Sequence, residues 1–175
     1  MDFSIQSVLE NNKVKLIPLQ KSDFEKLYEV ASDPLVWEQH PNKNRYEREV
    51  FQNFFEGAMI SEGAFLILDK VSNEVAGSTR FYSYDEDENS IFIGYTFYGR
   101  KFWGNKLNAD VKKLMLDYIF QFVDLVKFHV GAENHRSRKA MEKLGAELMG
   151  EISVAYHGEP EKKNVEFWIK KENWK

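Results

Sequence analysis

Arg100-Lys101-Phe102-Trp103-Gly104-Asn105-Lys106-Leu107-Asn108-Ala109-Asp110 joins a strand-like run, Ile91 to Phe97, to a helix-like run, Asn108 to Phe122. A loop that enters a helix turns unpaired main-chain N–H groups outward at the positive end of the helix dipole. Arg100, Lys101 and Lys106 flank that end. The combination has the chemistry of an anion cradle, and a phosphate or pyrophosphate is the expected guest. Only one glycine stands in the loop, where phosphate-binding loops usually have two or three, so loop chemistry alone is equally satisfied by a solvated surface turn.

The second informative stretch is Val130-Gly131-Ala132-Glu133-Asn134-His135-Arg136-Ser137-Arg138-Lys139-Ala140-Met141-Glu142-Lys143-Leu144-Gly145-Ala146. It follows a short apolar strand and reads as a loop, a helix and a glycine stop. Together the two stretches resemble the Gcn5-related N-acetyltransferase (GNAT) superfamily, in which a strand, pyrophosphate loop and helix precede a strand, an Asn-x-x-Ser helix and a Lys-Leu-Gly ending. Gly77-Ser78-Thr79-Arg80-Phe81, Ile93-Gly94-Tyr95-Thr96, Gly104-Asn105-Lys106-Leu107-Asn108 and Asn134-His135-Arg136-Ser137-Arg138 are similar to a bacterial subgroup. That subgroup lies within the branch built around ribosomal-protein N-terminal acetyltransferases. The resemblance runs from about Val14 to Trp174.

Size and composition agree with one enzyme domain spanning 1–175. Phe, Tyr and Trp make up 15% of the chain, enough large apolar side chains for both a core and a substrate groove. No run approaches the roughly 18 apolar residues that span a bilayer, and Met1-Asp2-Phe3-Ser4 lacks the pattern of a signal peptide, so no membrane partner and a cytoplasmic location are expected. Cysteine is absent, which excludes disulfides, thiolate metal sites and a covalent cysteine intermediate. The net charge of -4, with both signs mixed throughout, speaks against a nucleic-acid surface. The four histidines, at 40, 129, 135 and 157, lack ligand-like spacing, so no metal site is expected. A homodimer stays open.

Lys13 to Leu19 alternates as a first strand, and Ser22-Asp23-Phe24-Glu25 reads as a capping box opening a helix that ends before Pro34. Tyr46 to Ile60 carries an apolar stripe of Val50, Phe51, Phe54, Phe55 and Ala58. Ala64 to Asp69 and Val75 to Tyr84 form a hairpin around Val71-Ser72-Asn73-Glu74, followed by an acidic turn and a strand from Ser90 to Tyr98. Ala109 to Val123 is helical, Phe128 to Ala132 a strand, Arg136 to Leu144 a helix, and Leu148 to Tyr156 with Val165 to Ile169 a closing strand pair. Nothing divides this order into parts, which predicts an α/β domain with a mixed sheet.

The resemblance implies a mostly antiparallel twisted sheet flanked by about four helices, with a V-shaped splay between the strand ending at Phe97 and the strand Phe128 to Ala132. The pantetheine arm of acetyl-CoA enters this splay and adds to the exposed backbone edge. The pyrophosphate would sit on the amides of Gly104, Asn105, Lys106, Leu107 and Asn108, with Arg100 and Lys106 as charge partners. The family usually has a second glycine where Lys106 stands, so this lysine must tolerate the local backbone or bind phosphate itself. Trp103 either packs on the cofactor or staples the helix.

Asn134 is the residue with which the family holds the pantetheine or an active-site water; a turn residue before a helix is its other reading. Ser137, one helical turn on, either faces the thioester sulfur or caps the helix. The tyrosine often found beyond it is Met141 here, which leaves Ser137 or a water to protonate the leaving thiolate. The usual position of a carboxylate base is Phe92. Glu38 and His40, in the loop between the first two helices, are then the candidates for relaying a proton from the acceptor, or an exposed loop pair. In the same loop Trp37, with Arg80 and Tyr82 at strand spacing, marks the acceptor side, Arg80 either reading an acidic group of the substrate or closing a salt bridge.

The expected activity is direct transfer of acetyl from acetyl-CoA to an amine, on a protein N-terminus, an amino acid or another small molecule. The alternative is an acyl-CoA-sensing or scaffolding module of the same fold without turnover.

Overall fold

Alternating apolar residues become strands and 3.6-periodic stripes become helices through most of the chain, as a computed structural model describing all 175 residues shows. In chain order the elements are β1 (Leu9–Glu10), β2 (Val14–Pro18), α1 (Phe24–Ala31), α2 (Arg48–Ser61), β3 (Ala64–Asp69), β4 (Glu74–Asp85), β5 (Ser90–Tyr98), α3 (Leu107–Ile119), β6 (Leu125–Gly131), α4 (His135–Leu144), β7 (Glu147–Val154) and β8 (Lys162–Lys170). The strands make one mixed sheet in the order β1-β2-β3-β4-β5-β6-β8-β7. All neighbours are antiparallel except β5 and β6.

Both faces of this sheet are covered, which explains why β3 reads as the unbroken apolar run Ala64-Phe65-Leu66-Ile67-Leu68 rather than as an alternation. Phe65 and Ile67 enter a core with Val111, Met115 and Ile119 of α3 and Met141 of α4. Ala64 and Leu66 enter a second core with Leu27 of α1 and Phe51, Phe54 and Phe55 of α2.

Several boundaries differ from the sequence reading, the last strand for example running Lys162–Lys170 rather than Val165 to Ile169, and three of them have a clear local reason. The first helix begins as a 3-10 turn at Lys21–Asp23, because the Asp23 carboxylate accepts the Gln20 N–H and so acts from inside the first turn. Helix α3 stops at Ile119, where Phe120 and Val123 turn into the core. Strand β6 starts at Leu125 rather than Phe128, because Leu125, Val126 and Lys127 pair with Ser90, Ile91 and Phe92. The two-residue β1 and the 3-10 turn Pro34–Trp37 are too short to leave a periodic signal.

Strand β5 carries the feature that shapes the site. Its register to β4 passes from Arg80↔Gly94 to Ser78↔Phe97, so β5 holds one extra residue there. Tyr95 takes φ 53° in this bulge, a left-handed conformation that a non-glycine residue adopts at a cost of about 1 kcal/mol. The bulge inverts the side-chain alternation: Ile91 and Ile93 face the α3 core, whereas Phe97 faces the α2 core. It also bends β5 away from β6. The two strands pair at only three positions, Ser90 to Phe92 against Leu125 to Lys127, while β6 stays bonded to β8 at every residue from Leu125 to Gly131.

Strand β4 must approach β5 closely for this bend to hold. A Cβ on Gly77 would lie 1.9 Å from the Phe97 carbonyl oxygen. Gly77→Ala is therefore expected to destabilise the protein by about 2 kcal/mol or more, measured by urea denaturation followed by circular dichroism.

Candidate active site

The parting of β5 and β6 opens a cavity of about 600 Å³ through the sheet. One end is walled by the loop between Gly99 and α3 and by the first turn of α4. The other end lies under the loop joining α1 to α2 and the segment after β7. Arg45, Lys106, Lys112, Arg136, Lys139 and Lys143 line it, and no Asp or Glu does. In a chain of net charge -4 this is a local inversion of sign, suited to a polyanionic guest.

At the first end, Gly104 adopts φ 79° and Lys106 φ 69°, so the chain turns left-handed twice before entering α3. Lys106 is the N-cap of that helix and supplies no side-chain cap. The side chain of Asn105 accepts the Leu107 N–H at 3.1 Å, whereas the N–H groups of Asn108 and Ala109, in the first helical turn, find no acceptor in the protein. Trp103 donates its Nε1–H to the Tyr98 carbonyl, and the Arg136 guanidinium lies 3.6 Å above its ring. This pair joins α3's loop to α4 across the cavity mouth. Burial lowers the Arg136 pKa from its ordinary value, and Glu38 acts to raise it.

Asn134 caps α4 by accepting the Ser137 N–H at 3.4 Å, while its side-chain N–H₂ has no partner in the protein. Ser137 thus receives the cap rather than providing it, and its hydroxyl lines the cavity. Met141 lies behind it on the same wall. Phe97, Gly104, Leu107 and Asn108 also line the cavity, and so do Trp37 and Tyr82.

Four residues expected at the site are placed elsewhere. Arg100 is exposed and bound to Asp33, outside the lining, because the 3-10 turn Arg100–Phe102 directs it back toward the end of α1. Asn105 points along the helix start instead of into the cavity. Glu38 is exposed and also lies outside the lining. Arg80 is buried beneath Tyr95, its guanidinium 3.6 Å from that ring, with no carboxylate at ion-pair distance; burial brings its pKa down to about 10. The alternative of an edge salt bridge for Arg80 is excluded by the same geometry.

His40 lines the cavity, but both ring nitrogens face donors: Nδ1 lies 3.0 Å from the Asn42 N–H and Nε2 lies 3.2 Å from Arg45 Nη1. Burial, then the positive charges of Arg45 and Arg136, hold it well below the usual histidine range. It is neutral, with no free nitrogen to take up a proton. Trp37 likewise spends its indole N–H on the Ala31 carbonyl and contributes only its apolar face.

Several side chains at the site were not read from the sequence, and three of them carry most of its chemistry. Arg45, 1% exposed, makes two hydrogen bonds to Glu159, at 2.8 and 2.6 Å, and ties the α1–α2 loop to the turn before β8. His129 lines the cavity and bonds Glu166 through Nε2 at 2.9 Å; the two are register partners on β6 and β8. Its ring packs 4.6 Å from Phe92. Lys112, 3% exposed, projects into the cavity from α3. The His129 signal was available as a polar residue between core positions Phe128 and Val130. Lys112 was legible as a lysine in the stripe Asn108, Met115, Ile119. Arg45 has no local pattern.

Comparison with known proteins agrees with this architecture. The acetyltransferase (GNAT) domain family matches residues 13–147, and the chain belongs to that family. No curated protein matches the sequence. Among solved structures, a GCN5-related N-acetyltransferase from Brucella melitensis is 21% identical, with a TM-score of 0.82 over 97% of this chain and 80% of that one. A ribosomal-protein-serine acetyltransferase-like protein from Vibrio cholerae is 12% identical, with a TM-score of 0.73 over 96% and 99% of the two chains. A spermidine N-acetyltransferase from Vibrio cholerae, in complex with CoA and spermine, is 13% identical, with a TM-score of 0.70 over 93% and 98%. At these identities the likeness is one of fold, the GNAT fold. No helix is long and apolar enough to cross a membrane.

The left-handed Lys106 gives a direct test of the loop. Lys106→Gly is expected to raise stability by up to about 1 kcal/mol, because glycine adopts this conformation without steric cost. Thermal unfolding without ligand measures it; a lower melting temperature would show that the lysine side chain holds the loop.

Proposed function

We propose that this chain is an acetyl-CoA-dependent N-acetyltransferase of one domain, acting in the cytoplasm by direct transfer to an amine. The observation that carries this is the cavity between β5 and β6. It is lined by six cations and no acid, it opens at unpaired helix N–H groups, and it passes through the sheet to an aromatic chamber.

A thioester with a phosphorylated carrier fits such a passage. The free N–H groups of Asn108 and Ala109, with Lys106 and Arg136, would hold the pyrophosphate. The edge of β5 beyond Phe92 and the side-chain amide of Asn134 would hold the pantetheine arm. The bulge at Tyr95 interrupts the β4–β5 register beside the cavity, where the thioester carbonyl would lie.

On the other side of the sheet, Tyr82, Tyr95, Tyr156 and Trp37 bound the space for the acceptor. His129 stands in this half with Nε2 committed to Glu166, which leaves Nδ1 as a free acceptor. His129 therefore replaces Glu38 and His40 as the group that removes the proton from the acceptor amine. The acceptor itself is a small amine, an amino acid or a protein N-terminus. The spermine in the Vibrio cholerae relative makes an amine panel the rational starting point.

Acetyl-CoA at 100 times its dissociation constant should stabilise the fold by about 2.7 kcal/mol. Free thiol should then appear with at least one amine of a panel of amino acids, short peptides and polyamines. Binding without thiol release across that panel favours the sensing or scaffolding module; no thermal shift at millimolar acetyl-CoA excludes both readings. Lys106→Gly should weaken binding and flatten its salt dependence while gaining stability.

With a working acceptor, His129→Gln should lower kcat by about 100-fold and Glu38→Gln by less than twofold. Equal losses for the two variants would return the proton-accepting role to the α1–α2 loop.

A further inference from the structure

Lys112 is a buried amine without a counter-ion. Its Nζ donates to Thr96 Oγ1 at 3.2 Å and to Asn108 Oδ1 at 3.3 Å, and Asn108 Oδ1 also accepts the Tyr98 hydroxyl at 2.7 Å. Thr96 Oγ1 is shared in turn with Thr79 Oγ1 at 2.9 Å. Both partners of the lysine are neutral. As an ammonium it has three N–H groups and two acceptors, so one proton is left for whatever occupies the cavity.

No carboxylate reaches it from α3, β4, β5 or α4. Tyr98 touches it only through Asn108, and the other charged groups on the cofactor-side wall are Lys106, Arg136, Lys139 and Lys143. Burial brings its pKa down to about 7. A lone charge in a largely apolar enclosure is expensive to keep, and nothing in the α3 core requires it.

Its height in the fold suggests its use. Thr96 immediately follows the bulged Tyr95, so the amine stands at the level where the sheet opens, on the α3 face. The acceptor chamber and His129 lie on the opposite face. In the acetyl-transfer reading on which this inference rests, the amine attacks from one face and the sulfur departs on the other.

We propose that Lys112 is a catalytic residue of the transfer, the acid that protonates the departing sulfur. The acceptor nitrogen forms its bond to the thioester carbon and loses its proton to His129. As the C–S bond breaks, its electron pair goes to sulfur and the Lys112 ammonium gives it a proton, releasing coenzyme A as the thiol. Neutral Lys112 then recovers a proton from solvent through the open cavity. Met141, which lines the same cavity from α4, has no proton to give.

The test compares wild type, Lys112→Met and Lys112→Arg with acetyl-CoA and an acceptor that wild type uses. Wild-type kcat should fall as pH rises through about 7, as the ammonium is lost. Both variants should lose about 100-fold in kcat and the alkaline limb with it, since a guanidinium does not give up its proton at these pH values. Apparent acetyl-CoA affinity should stay within about threefold, and melting curves check that both variants fold. Lys112→Met with kcat within twofold of wild type and the alkaline limb intact overturns the proposal. So does a stable acetyl group on Lys112 in the intact mass, which would make it a nucleophile. Absence of wild-type turnover on every amine fails the acetyl-transfer reading itself, and this role with it.

Discussion

The structure depends on one bend. Strand β5 carries an extra residue at Tyr95, and from there it leaves β6, which stays fully bonded to β8. Two adjacent parallel strands thereby keep main-chain groups without partners in the middle of a sheet. Backbone groups in such a place need a partner, and a guest that brings amides of its own can supply one.

The remaining devices surround that opening. Helix α3 aims its N-terminus at one end and α4 places Asn134 and Ser137 along a side. The Arg45–Glu159 pair clamps the α1–α2 loop to the far hairpin. Pro41 packs against Gly131 so closely that a Cβ there would lie 2.4 Å from the proline ring, which fixes that loop over the end of β6. Charge follows the same plan. Acidic residues populate the outer surface, and only cations face the passage. Two cations, Arg80 and Lys112, are buried with no carboxylate partner. Groups of this kind cost stability, a cost characteristic of functional sites.

The two groups proposed for acid and base chemistry are divided by the sheet itself. His129 lies on the α2 face because it alternates with Phe128 and Val130, which point into the α3 core. Lys112 comes from α3 on the other face. In the proposed transfer, the group that would remove a proton and the one that would deliver it are thus held apart by a layer of backbone, with only the opening between them.

The sequence by itself determined the kind and order of nearly all the elements, because period-2 and period-3.6 patterns are local. It also determined the two chemically loaded stretches, Arg100 to Asp110 and Val130 to Ala146, since a cationic loop before a helix and an Asn-capped helix are written in consecutive residues. What only the tertiary structure decided is which polar residues meet. Arg45 and Glu159 are 114 positions apart, and His129 and Glu166 are partners because β6 happens to lie beside β8. Glu38 was read toward the site and points to solvent. Arg100 was read as a phosphate partner and binds Asp33 instead. A charged side chain is long and flexible enough that local pattern does not fix its target. That choice belongs to the register of distant strands and the packing of loops, which only the folded chain contains.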